Sequence, residues 1–380
     1  MKLLDGIKVA EFCEIAAGPF CAMLLADYGA DVIKIERPSG DAMRSWPPVN
    51  EGYSENFASV NRNKKSVVLD MKTEQGLKAA RAIILDSDVV VENFRPGVMQ
   101  KLGIDYATMS KQKPELIYCS ISAFGQEGPR SREGGFDLTM QAMAGIMSVT
   151  GEPGGAPVKC GVPLCDFTAA LYGAFSISAA IRHKEQTGEG QNIDVSMLGT
   201  SLAIAALQTS EYFGTGNNPR KLGSAHPRNA PYQAFQAADG YFGMAAGNNN
   251  LWYLVCDVVT LSELKDDERY LNPSLRAQHQ DTLRATLEEV FQHQSVDYWL
   301  QAFAQAGVPC SPINNYSDAL DDPQVEHMGW VENLTLANGI ETKTFGSPIR
   351  LNGESPSITK RPPLLGEHTE QVLAELDKLG

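Results

Sequence analysis

Within residues 7–36 the chain runs "IKVAEFC", a short loop, "AGPFCAMLLADYGA" and then "DVIKIE". Two strand-like apolar runs therefore flank one helix-like run, a β-loop-α-β unit. Strands joined by a helical crossover lie parallel, and a parallel sheet needs cover on both faces. The pattern then recurs. "KKSVVLDM" (64–71) reads as a strand and "TEQGLKAARAIILDS" (73–87) as a helix with Thr73 as its cap. "DVVVENF" (88–94) and "ELIYCSISAFG" (115–125) read as two more strands. This alternation predicts an α/β fold with a large, doubly wound, Rossmann-like parallel sheet, whose ligands sit beyond the C-terminal ends of the strands.

Those ends carry small residues and arginines. Ala16-Ala17-Gly18-Pro19 follows the first strand, Arg37 and Arg44 the second, Arg95 and Gly97 the run "VVVENF", and "QEGPRSREGGFD" (126–137) the last. Small residues admit a ligand close to the backbone, and arginine grips phosphate in a fork. Each arginine read singly is equally well a surface charge. No G-x-G-x-x-G follows the first strand and no G-x-x-x-x-G-K-[ST] occurs, so the dinucleotide and P-loop fingerprints are missing.

After residue 200 the texture changes. "GTSLAIAALQTSEYF" (199–213) reads as a long helix leaving the first domain, and 214–232 as a loop. "YQAFQAADGYFGMAAG" (232–247) reads as a hairpin turning at Asp239-Gly240, and helices follow, with a break near Ser295. From 308 onward the chain is rich in loops and proline. These shifts predict a large domain over 1–200, completed by about 316–380, a linker at 201–225, and a smaller α+β domain at 226–315.

A net charge of −14 argues against nucleic acid or an anionic membrane as the main partner. Seven cysteines without a C-x-x-C pair or metal-ligand spacing read as reduced thiols. The N-terminus runs straight into a strand pattern without a signal-peptide h-region, so the expected location is cytoplasmic.

The run "VPLCDFTAALYGAFSISAAI" (162–181) contains a single charge, Asp166. Burying a lone carboxylate is costly or raises its pKa. The residues after Asp166 have helical periodicity, so the carboxylate reads either as an N-cap or as a functional group. The two readings are compatible.

Several segments together resemble the class III CoA-transferases, the group named for carnitine and bile-acid CoA metabolism that includes formyl-CoA:oxalate CoA-transferase. They are "AGPFCAMLLADYGADVIKIERPSGD", "RNKKSVVLDMKTEQG", "VENFRPGVMQKLGIDY", "SAFGQEGPRSREGGFDLTMQAMAG", "CDFTAALYGA", "GEGQNIDVSML" and "APYQAFQAADGYF". They occur in this order, and the resemblance runs over essentially the whole chain. The resemblance implies that Asp166 is the nucleophile. CoA would then pass from an acyl-CoA donor to a carboxylic-acid acceptor through aspartyl anhydride and aspartyl-CoA thioester intermediates, with no metal. Carried over by position, the CoA contacts are Ala16, Ala17, Arg37, Leu69, Lys72, Asn93, Phe94, Arg95, Lys101, Phe136 and Asp137. Some members have Gln where Ala16 stands, and many have Arg where Lys101 stands. The resemblance also implies a homodimer of interlocked chains.

The α-methylacyl-CoA racemases are similar in most of these motifs but carry a catalytic His where this chain has Phe136, which cannot shuttle a proton. A non-catalytic CoA-binding protein is the alternative of another class. His226 reads as structural or as a partner for an acyl carboxylate. Gly247, Asn248 and Asn249 read as a mobile loop over the intermediate or as the cap of the helix that follows.

Overall fold

In the computed structural model, which describes residues 2–378, the alternation resolves into one six-stranded sheet. Its strands are β1 (Lys8–Phe12), β2 (Asp31–Glu36), β3 (Lys64–Val68), β4 (Val89–Glu92), β5 (Ile117–Ser122) and β6 (Asn192–Ser196). Every pairing is parallel, with registers such as Val9 against Val32 and Val89, and the spatial order is 3-2-1-4-5-6. This is the doubly wound order that the sequence predicts. Val9, Val32, Val89, Val90 and Val91 are fully buried, as expected of strands covered on both faces. β6 has no such signal. Its residues NIDVS are mostly polar and only Val195 is buried, because it is an edge strand.

Among the helices of this unit are α1 (Ala17–Asp27), α2 (Glu74–Asp86), α3 (Asp137–Met143), α4 (Leu164–Thr187), α5 (Met197–Ile204) and α6 (Ala206–Thr215). Thr73 caps α2, its hydroxyl accepting from Gly76 N–H. The helix expected over 199–213 is two helices that meet at Ala205. α4 is long and apolar enough to cross a membrane by composition alone, and half of its apolar window is buried inside this unit. It packs on α1, β5 and α5.

A network of charged side chains is buried across β1, β2 and β3. The Lys34 ammonium, fully buried on β2, contacts Glu11 of β1 at 3.0 Å and Asp41 at 2.9 Å. Lys64 of β3 reaches the other oxygen of Glu11 at 2.8 Å. Glu36 accepts from the Arg44 guanidinium and from Ser66 Oγ. Burial by itself lowers the pKa of Lys34, but Glu11, Asp41 and Glu36 outweigh it and hold the ammonium well above its usual range.

A second unit comprises Met147–Val158 and Asn218–Pro323. The segment 147–158, placed by sequence with the large domain, is tied to this unit by Gly223 N–H on Gly151 O and by Lys221 Nζ on the carbonyls of Gly155 and Ala156. Its sheet has β7 (Tyr232–Gln236), β8 (Tyr241–Ala245) and β9 (Cys310–Pro312), all antiparallel. β7 and β8 form the expected hairpin; β9 falls where sequence showed only loop. Helices α7 (Asn249–Val258), α8 (Gln280–Phe291) and α9 (Val296–Ala306) cover one face, and Ser295 caps α9. Phe235, Phe242, Phe291, Trp299 and Phe303 fill the core with edge-to-face and tilted ring contacts.

The remaining chain belongs to the first unit. It forms the hairpin β10 (Val331–Thr335) and β11 (Glu341–Phe345), then α10 (Thr369–Asp377), which packs on α2 and β3. Arg62, paired with Asp27, donates to Phe345 O, and Asn63 Oδ1 accepts from the backbone of Thr359 and Lys360.

In the second unit the Arg276 side chain is fully buried and donates to Ala230 O (2.7 Å), Tyr270 O (2.9 Å) and Asn249 Oδ1 (3.0 Å). An apolar replacement strands two buried carbonyls. Arg276→Met is therefore expected to lower unfolding free energy by about 3 kcal/mol, measured by urea denaturation.

Candidate functional site

A cavity of about 450 Å³ lies at the C-terminal ends of the parallel strands. Its wall comes from three places: Glu14–Ala17 after β1, Asn93–Pro96 after β4, and Ile121–Ala123 at the end of β5. β1 and β4 are neighbours whose crossovers leave in opposite directions, so this is the switch point of the sheet. Glu133–Phe136, Thr139, Asp166 and Met197 complete it.

Asp166 reaches the cavity on the first turn of α4. Sequence allowed it to be the N-cap, but the helix begins at Leu164 and Pro163 stands at the cap, with no side-chain hydrogen bond. The capping is done from another helix. Asp137 Oδ1, on α3, accepts from Cys165 N–H at 2.9 Å. The other Asp137 oxygen accepts from Gln141 Nε2 at 2.7 Å, and Gln141 Oε1 accepts from Cys160 N–H at 2.8 Å. Gln141 is fully buried. Asp137, carried over as a CoA contact, thus has both carboxylate oxygens committed inside the protein and does not line the cavity.

The Asp166 carboxylate itself has no hydrogen bond or ion pair among the described residues. Burial, and then the like charge of Asp137, push its pKa up to about 6. The N-terminus of a 24-residue helix works the other way and favours the anion. The group is thus ionised at neutral pH yet poorly solvated, the condition of a reactive carboxylate. Cys165 beside it is buried, and desolvation lifts its thiol to about 11, so it is inert packing at neutral pH.

The wall after β1 is under local strain. Ile15 sits at φ 68°, a left-handed conformation that a β-branched residue adopts at a cost of order 1–3 kcal/mol. Side chains hold it there. Asn93 clasps the backbone of Glu14, accepting from its N–H (3.0 Å) and donating to its carbonyl (2.8 Å). Asp41 Oδ1 accepts from Ile15 N–H (3.1 Å), and Lys34 Nζ donates to Cys13 O (2.8 Å). Gly18 is obligatory, since a Cβ there would lie 2.3 Å from Cys13 Sγ.

Of the residues expected at the site, Ala16, Ala17, Asn93, Phe94, Arg95, Phe136 and Asp166 share this one cavity. Phe136 is exposed, and Arg95 lies so close over Gly134 that a Cβ there would meet its guanidinium at 2.8 Å. Arg37 is not in the wall; its Nε is 3.3 Å from Glu14 Oε1, which is. Leu69 lines a separate cavity of about 470 Å³ with Asp70, Thr73, Lys78 and Leu373 of α10. Lys72 and Lys101 are exposed and line neither.

In the second unit His226 lines a cavity of about 540 Å³ and stacks on Tyr232. Its Nδ1 accepts from the backbone N–H of Arg228 and Asn229, which leaves the proton on Nε2. Desolvation and the charge of Arg228 lower its pKa. Asn248 is the cap of α7, Asn249 is held by Arg276, and a Cβ on Gly247 would lie 2.9 Å from Asn229 Cβ. The cap alternative for this loop therefore accounts for the Asn248 side chain.

The sequence profile of CoA-transferase family III matches residues 4–369. The chain belongs to this family. It is 38% identical to the succinate–glutarate CoA-transferase of Agrobacterium fabrum over 390 residues, covering 99% of this chain and 96% of the relative. It is 37% identical to the human succinyl-CoA:glutarate CoA-transferase over 378 residues, covering 99% and 86%. A CaiB/BaiF family protein from Brucella suis superposes with a TM-score of 0.88 at 38% identity, covering 99% of this chain and 100% of that one.

Family membership explains why the residues that make the cavity carried the motifs, and also what sequence missed. Gln141 and Asp41 lie within quoted segments, but nothing in the sequence distinguishes a residue that clamps the site from one that touches a ligand.

A carboxylate whose pKa rises on folding destabilises the fold wherever it is ionised, so the penalty is present above pH 6 and relieved as pH falls through 6. Asp166→Asn is expected to melt above the wild type at pH 7–8, with the gap closing toward pH 4. Thermal scans across pH measure it.

Proposed function

We propose that this protein transfers coenzyme A from an acyl-CoA thioester to a carboxylic acid, with Asp166 as the covalent nucleophile. The observation that carries the reading is an unpaired, desolvated carboxylate at the switch point of the sheet, in a cavity whose wall is made of the family's motif residues.

In the proposed sequence an Asp166 oxygen attacks the donor thioester carbonyl. The C–S bond breaks, giving an aspartyl–acyl anhydride and CoA thiolate. The thiolate then attacks the Asp166 carbonyl, expelling the donor acid as its carboxylate and leaving an aspartyl-CoA thioester. The acceptor carboxylate attacks that carbonyl and releases thiolate again. Attack of the thiolate on the acceptor acyl carbon forms the new acyl-CoA and regenerates the Asp166 carboxylate. Each step exchanges one acyl bond for another, so the thioester's free energy is conserved. Ala16 and Ala17 leave room for the pantetheine arm, and Arg95 is an available cation for the phosphates. The relatives' names point to the acid: they pair succinyl-CoA with glutarate or mesaconate, and acetyl-CoA with oxalate. By extension, the acceptor here is a short dicarboxylic acid.

The racemase alternative needs a proton-transfer residue at position 136, where an exposed phenylalanine ring lines the cavity. We also propose that a second copy of the chain covers the apolar side chains exposed on α4–α6, among them Phe175 (74% exposed) and Phe213 (82%).

Two measurements test these readings. Peptide mass spectrometry after mixing with short acyl-CoAs and quenching with hydroxylamine should find a hydroxamate at Asp166, absent from Asp166→Ala. Its formation rate should fall below pH 6, where the nucleophile is protonated. A silent CoA-binding protein gives no adduct, and a racemase instead exchanges the α-proton of a branched acyl-CoA with deuterated water. Sedimentation equilibrium should return twice the chain mass, and Phe213→Asp should shift it toward the monomer.

A further inference from the structure

We infer that Asp41 and Lys34 are positioning residues for coenzyme A binding: their buried ion pair fixes the Glu14–Ala17 wall of the cavity that carries Asp166. The inference rests on the functional reading above, because the wall matters only if the CoA arm lies against it.

Two consecutive peptide groups in this wall are each held at both ends by side chains. In the Cys13–Glu14 peptide Lys34 Nζ takes the carbonyl and Asn93 Oδ1 the N–H, and in the Glu14–Ile15 peptide Asn93 Nδ2 takes the carbonyl and Asp41 Oδ1 the N–H. Ile15 is in the left-handed region, so the loop does not rest there by its own preference. Asp41 is itself fixed three ways. Its N–H donates to Glu36 Oε2, its Oδ1 also caps the Ala42–Ser45 turn through Met43 N–H, and its Oδ2 contacts Lys34.

Stability alone gives little reason for this arrangement. Well-packed apolar side chains in place of a buried ion pair are often as stable or more so. An apolar side chain at 34, however, cannot donate to Cys13 O, and one at 41 cannot accept from Ile15 N–H. What the pair supplies is a fixed loop geometry. The loop it fixes leads straight into Ala16 and Ala17, where α1 begins.

The test is isothermal titration of full-length protein with coenzyme A, alongside thermal melting. Asp41→Asn keeps an acceptor for Ile15 N–H but breaks the charge pairing with Lys34. It should weaken CoA binding about tenfold or more, since small displacements of a binding wall are costly. Asp27→Asn is the matched control. It breaks another buried pair of the same unit, with Arg62 (2.7 Å), and none of its hydrogen bonds goes to this loop. It should lower the melting temperature comparably while leaving CoA affinity within about twofold. Adding Ile15→Gly to Asp41→Asn should recover most of the lost affinity, because glycine adopts the left-handed conformation without a pin. Equal CoA affinity in the wild type and Asp41→Asn, whatever the loss in melting temperature, would make the pair a feature of folding alone and overturn the inference. Absence of CoA binding to the wild type would instead overturn the functional reading, and this inference with it.

Discussion

A lysine ammonium with no access to water is the constraint around which the sheet's working end is arranged. Lys34 is held by Glu11 on the adjacent strand and by Asp41 just beyond its own. Removing such a charge from water costs several kcal/mol unless the partners are close and the remaining donors are used. Here they are used on the chain itself, since the ammonium also donates to Cys13 O as the backbone leaves β1. Lys64 repeats the device from the next strand, reaching Glu11 and the Pro19 carbonyl at the start of α1. The loop between β1 and α1 is thereby gripped from Cys13 to the first turn of α1. A cavity at the switch point of an open sheet follows from strand order. Its persistence as a shaped cavity follows from this network.

Asp166, the proposed nucleophile, lies beside a separate device of the same type. α4 begins with a proline at its cap and no side chain of its own to satisfy its first N–H groups. Asp137 supplies an acceptor from α3, and buried Gln141 ties that carboxylate to the Cys160 backbone. A single carboxylate therefore caps the helix that carries Asp166 and raises the pKa of Asp166 by its charge. The effects pull the site in one direction. The helix end is capped, and the Asp166 carboxylate has no hydrogen bond among the described residues.

Much of this was legible in the sequence because it depends on local pattern. The buried parallel strands appear as short β-branched runs, the helices as 3.6-residue periodicity, and the β7–β8 hairpin as an Asp-Gly turn. Edge strand β6, strand β9 and hairpin β10–β11 were not legible, since each is half exposed and polar and its identity comes from the neighbour it pairs with. The site divides in the same way. Asp166 stood out as a lone charge in an apolar run, and the residues of the cavity wall came with the family motifs. Asp137 also came with a motif, and a motif records position and not direction: its oxygens are turned toward Cys165 and Gln141. Lys34, Glu11 and Lys64 read as ordinary alternating strand residues, and nothing local shows that they meet.

The pKa of Asp166 has a further consequence for the proposed transfer. The same carboxylate must act as nucleophile toward a thioester and then, as an anhydride or thioester carbonyl, be attacked in its turn. An ordinary aspartate would be ionised at neutral pH but weakly basic, hence a poor attacking group toward a thioester. A carboxylate raised to 8 or above would be a stronger nucleophile but mostly protonated at neutral pH. A value near 6 keeps the group largely ionised at pH 7 while retaining much of the basicity that burial confers. Desolvation supplies most of that elevation, with Asp137 adding to it. Asp137 also caps α4 at Cys165 N–H, so in the proposed transfer the group that satisfies the helix end beside Asp166 also tunes the carboxylate that the helix carries.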